Sequence, residues 1–126
     1  MDLDGQSLPN ICNLLGGEYY VAIRHRNHLG IMTPQPLLIG TNNTIFDFTQ
    51  NQAYNNGQKR HANGYYTLIA GDATGDGSID AADRSSSWNN RNTTGLKLTD
   101  VNLNGQVEAA DRSIIWNNRN SAEQLP

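Results

Sequence analysis

The sequence predicts an α+β fold: a small antiparallel, sandwich-like β domain over residues 1–70, followed by two loop–helix repeats over residues 71–126. Three observations predict it. In the first part, short β-branched and aromatic runs recur at roughly ten-residue spacing, separated by Gly, Asn and Pro. In the second, sliding the chain against itself lays Asp72–Asn92 over Asp100–Asn120, two copies of one pattern. Charge changes at the same place. Residues 1–70 carry four acids and four bases, residues 71–126 eight acids against five bases, so the whole net charge of -3 lies in the second part. The boundary falls at Ala70–Gly71.

Glu18–His25 is strand-like by composition, with Tyr19, Val21 and Ile23 on one face and Tyr20, Ala22 and Arg24 on the other. Asn27-His28 predicts a turn into Leu29–Met32, Pro34 and Pro36 interrupt, and Leu37–Ile39 resumes. Thr44–Phe48 is expected as a further short strand, residues 50–64 as an exposed loop, and Tyr65–Ile69 as a strand running into the first repeat. So few strands make a poor sandwich alone and leave edges open, so a strand supplied by another copy or an upstream domain is expected to complete it.

Composition excludes several functions. No run approaches the roughly 18 apolar residues of a membrane span, and no export signal is read at the N-terminus. Only 9 Lys+Arg argue against nucleic acid. The single cysteine, Cys12, cannot form an internal disulfide and reads as a small buried hydrophobe, so an extracellular chain of this size needs another staple, such as a metal.

Each repeat fits a twelve-residue loop for a hard divalent cation, with oxygen donors at positions 1, 3, 5, 7, 9 and 12 and a glycine at position 6. The first copy supplies Asp72, Thr74, Asp76, Ser78 (by its carbonyl), Asp80 and Asp83, turning at Gly77. The second supplies Asp100, Asn102, Asn104, Gln106, Glu108 and Asp111, turning at Gly105. A polar turn alone explains one such loop; two in register do not reduce to that. Many protein oxygens without phosphate favour calcium over magnesium, and the lack of a thiolate or paired histidine disfavours zinc. Two calcium ions per chain are expected, with a structural role. Ile79 and Val107 at position 8 are expected to join the loops through a short strand pairing. Asp83–Asn92 and Asp111–Asn120 read as helices, with the smaller apolar face on the first, and Trp88 and Trp116 are assigned to the core. The repeated Arg84/Arg112, Arg91/Arg119 and Asn pairs form either a solvated face or a duplicated partner-binding one.

With Asp at positions 1 and 12, one helix per loop and a tandem duplication, residues 71–120 resemble the dockerin type I repeat. The resemblance implies two EF-hand-like halves (F-hands) packed about a pseudo-two-fold axis and a fold that requires calcium. Thr74 at position 3 and the Trp-Asn-Asn-Arg-Asn helices depart from the cellulosomal pattern. Glu18–Pro34 followed by the repeats and by Glu123–Pro126 is similar to the C-terminal region of secreted cell-surface proteins of Bacteroidota, which implies an extracellular location and modular attachment.

No nucleophile elbow, phosphate loop or zinc-protease helix is present, so no catalytic residue is assigned. His25 and His28 have a spacing compatible with metal ligation but no third ligand. Asn42 and Asn92 fit the glycosylation pattern among 17 Asn, where chance matches are expected. The expected function is a non-catalytic, extracellular calcium-binding module whose partner is another protein or further copies of itself. The rivals are a fibre subunit assembling by strand complementation and an accessory domain of a secreted hydrolase.

Overall fold

The computed structural model describes residues 14–40 and 44–126. Cys12 and the Asn42 acceptor lie outside the described residues. Strand β1 (Gly17–Tyr19) pairs antiparallel with β4 (Leu37–Ile39), and β2 (Ala22–His25) with β3 (His28–Met32). The expected Glu18–His25 strand is thus divided at Tyr20–Val21 and its halves take different partners. Thr33 explains the change. Its N–H donates to the Val21 carbonyl at 3.0 Å and its hydroxyl accepts from the Val21 N–H at 3.2 Å, so a side chain replaces a ladder bond just before Pro34. The hairpin turn lies at Arg26–Asn27, one residue earlier than expected.

Among the described residues the strands form three separate two-stranded pairs, the third being β5 (Lys59–Arg60) with β6 (Tyr66–Thr67), and no sandwich. β5 and a 3-10 turn at Tyr54–Asn56 lie within the segment expected as loop. Thr44–Phe48 forms no strand. Asp47 Oδ1 accepts from the Thr49 N–H at 2.8 Å and its hydroxyl at 2.7 Å, a side-chain turn that outcompetes strand propensity. Burial explains the missing sandwich: all four β2 residues are exposed, whereas Leu29, Ile31 and Met32 on β3 are buried.

The main core joins Leu29 of β3 to Ala73, Ile79, Val101 and Ile115, with Ile69 and Ile114 packed against it. Burying each of the larger side chains contributes about 1.5–3 kcal/mol. The hairpin tip is therefore inserted among the repeats. Asn27, fully buried there, donates from Nδ2 to the carbonyls of Leu98 at 2.9 Å and Asp100 at 2.7 Å, which fixes the start of the second loop. Arg24 pairs with Glu123 at 3.2 Å, and the Glu123 carboxylate lies against Gly30, where a Cβ would make it swing aside.

Helix α1 spans Ala81–Asn89 and α2 Ala109–Asn117, each starting two residues before the expected position because Asp80 and Glu108 occupy the capping positions. Asn92 and Asn120 adopt left-handed backbone (φ 64 and 67) beyond the helices, a conformation asparagine tolerates, which accounts for one repeated Asn pair. The core assignment of the tryptophans is corrected: Trp88 is 53% exposed and Trp116 48%. Residues 83 and 87, or 111 and 115, one turn apart, face the interior, and each tryptophan follows one position later, rotated to the open side. The smaller apolar face of α1 is evident, since Ser87 is buried where α2 has Ile115.

The pairing at position 8 is also corrected. The Ile79 N–H donates to Ser121 and its carbonyl accepts from Asn120, at 2.8 and 2.9 Å, while Val107 makes the same bonds with Thr93 and Asn92, at 2.9 and 2.8 Å. Each loop therefore pairs with the segment after the other copy's helix, a reciprocal exchange that locks the repeats together.

Candidate metal centre

The loops turn where the sequence requires positive φ. Gly77 and Gly105 at position 6 have φ 84 and 89, and position 4 is left-handed too, at Gly75 (φ 76) and Leu103 (φ 63). These turns direct backbone N–H groups at the position-1 carboxylates. Asp72 Oδ1 accepts from Gly75 at 2.7 Å and Asp76 at 3.1 Å, and Oδ2 from Gly77 at 3.0 Å. Asp100 accepts from Asn104 at 3.1 Å and Gly105 at 2.9 Å. Position 5 accepts from position 7 in both copies, Asp76 from Ser78 and Asn104 from Gln106, each at 2.9 Å.

Position 12 closes each loop. Asp83 Oδ1 accepts from the Thr74 N–H at 2.9 Å and its hydroxyl at 3.0 Å, and Oδ2 from Asp80 N–H at 2.7 Å. Asp111 accepts from Val101, Asn102 and Glu108 N–H groups at 2.9, 3.1 and 2.8 Å. The structure therefore brings positions 1, 3, 5 and 12 into one hydrogen-bonded loop in each copy. Position 9 differs between them: Asp80 turns to cap Ala82 at 2.7 Å, whereas Glu108 Oε1 accepts from Asn104 Nδ2 at 2.9 Å.

The carbonyls at positions 6 and 8 are taken by the exchanged segments: Gly77 by Glu123, Ile79 by Asn120, Gly105 by Gly95 and Val107 by Asn92. Alternation along an extended chain then turns the position-7 carbonyls of Ser78 and Gln106 to the opposite side, away from the exchanged segments. Asp72, Asp83, Asp100 and Asp111 are all buried, and none pairs with a Lys or Arg among the described residues. A buried carboxylate is costly without a counter-charge, even when hydrogen-bonded. In this donor set of carboxylates, amides and carbonyls, a calcium ion would be held by positions 1, 3, 5, 7, 9 and 12 and would supply that charge. Among the described residues, no three His, Cys, Asp or Glu side chains lie together as a metal-binding group, although the first loop carries four carboxylates.

Sequence reasoning missed Asn27, whose amide anchors the second loop across 73 positions; a lone Asn in a turn gives no such signal. His25 and His28 do meet, Nδ1 to Nδ1 at 3.0 Å with rings edge to face, and His28 Nδ1 also lies 2.9 Å from Asn27 Oδ1. Burial, then the charges of His25 and Arg26, hold the His28 pKa down at about 4.

No protein-family model, curated protein or solved structure matches this chain.

Proposed function

We propose that this chain is a non-catalytic, calcium-organised attachment module whose residues 71–120 act as a dockerin-like pair of loop–helix repeats, working outside the cell. The observation that carries the reading is the duplicated loop: two buried carboxylates per copy, the first accepting from the N–H groups of positions 5 and 6 and the second from those of positions 3 and 9, with no cationic side chain among the described residues to balance them. Calcium balances that charge and makes the fold depend on the ion. Thermal unfolding of the full chain in calcium and in EGTA tests this. The expected result is a cooperative transition in calcium that falls steeply or vanishes in EGTA; coincident transitions would reject it.

A further inference from the structure

The helices present a face that the calcium reading does not use. An open groove of about 1040 Å³ runs between α1 and α2, lined symmetrically by the two copies and by no carboxylate. Both tryptophans of the chain lie in it. Each indole is flanked by two guanidiniums, one from just past the end of its own helix and one from the other helix. Arg91 and Arg112 lie 4.7 and 5.2 Å from the Trp88 ring, and Arg119 and Arg84 lie 4.0 and 5.1 Å from that of Trp116. Arg91 and Arg119 also donate to the carbonyls of Trp88 and Trp116. None of the four forms an ion pair among the described residues.

We propose that this face recognises a carboxylate-bearing patch on a protein partner, with Arg84 and Arg112 as the two reading forks and the tryptophans as the supports that order them. The proposal deepens the attachment reading and rests on it, not on calcium. Stacking on an indole fixes a guanidinium plane while leaving its edge N–H groups free for bidentate carboxylate recognition. With guanidiniums beside both rings, the indoles serve as supports and not as platforms for a stacking ligand. Four like charges without a counter-ion among the described residues call for an anion, and tryptophan and arginine are both enriched at protein-interface hot spots. The chain's net charge is -3, so a long polyanion running beyond the groove meets repulsion, whereas a compact acidic patch does not.

Because both tryptophans are in the groove and the five tyrosines are not among its lining residues, fluorescence of the full chain excited selectively at tryptophan reports on this face. Hexaglutamate peptide is the probe, with a heparin hexasaccharide and a single-stranded oligonucleotide of equal charge as comparisons. A saturable change with hexaglutamate is expected, weakened at least tenfold in Arg84→Ala/Arg112→Ala. If that variant does not fold, Arg84→Lys/Arg112→Lys keeps the charge, removes the fork and is expected to weaken binding severalfold. No saturable change, equal binding by a folded variant, or tighter binding of heparin or oligonucleotide would each overturn the proposal. Unfolding in EGTA followed on the same samples separates the two claims: a chain indifferent to calcium that binds hexaglutamate ends the calcium reading and keeps this one.

Discussion

Replacing Asp111 by alanine is the sharpest probe of the second loop, because its carboxylate does two separable jobs. One is hydrogen bonding. The buried group accepts from Val101, Asn102 and Glu108, and truncation leaves three N–H donors without a partner. At about 1–2 kcal/mol for each, the loss is about 3–6 kcal/mol, comparable with the whole stability of about 5–15 kcal/mol typical of a native chain. The other job is electrostatic, and its sign depends on the ion. Without calcium, removing Asp111 also removes an uncompensated buried charge from the loop that holds Asp100, which offsets part of the loss. With calcium, the same change removes a ligand, and the mutant forfeits the ion's contribution of about 2.7 kcal/mol at a hundredfold excess over Kd. Asp111→Ala is therefore expected to cost more in calcium than in EGTA. Urea unfolding of both proteins in both buffers measures this. An equal cost in the two buffers would show that Asp111 only scaffolds the loop, and no cost in either would refute the hydrogen-bond reasoning as well.

Three further outcomes follow from individual residues. Leu103 is half exposed and held at φ 63 where the other copy has Gly75, so Leu103→Gly is expected to raise the free energy of unfolding in urea by about 0.5–1 kcal/mol once the strain relieved is set against glycine's greater chain entropy; a lower value would contradict it. Ser87 is fully buried with its hydroxyl unpartnered, so Ser87→Ala is expected to stabilise by about 1 kcal/mol in the same assay, and a loss would show a hidden partner. His28 has a folded pKa of about 4, below the ordinary 6.5, so its neutral form stabilises the fold above pH 6.5 and that stability is lost as the pH falls from 6.5 towards 4. His28→Gln is expected to unfold with a shallower pH dependence across that window, and an unchanged slope would assign the acid sensitivity elsewhere.

What was legible in the sequence was what repeats. The glycines of the loops, the two helices and the grouping of positions 1, 3, 5 and 12 followed from residue types at fixed spacing, because local turn chemistry and capping decide them. What failed depended on contacts between distant segments. Trp88 and Trp116 read as core by size, but their phase on the helix, one residue past Ser87 and Ile115, turns them to the open groove. Ile79 and Val107 were expected to meet each other, yet each meets the segment after the opposite helix, since the repeats exchange their ends. Thr44–Phe48 has strand composition, and the Asp47 turn overrides it. The place of Leu29 in the core of the repeats, and of Asn27 at the second loop, carries no periodic signal because one hairpin tip supplies both.

The central claim, two calcium loops organising one small fold, is tested most directly by titrating calcium into the metal-stripped full chain in a calorimeter. The account predicts saturation at two ions per chain and at one for Asp111→Ala. A featureless titration of a chain already folded in EGTA would contradict it.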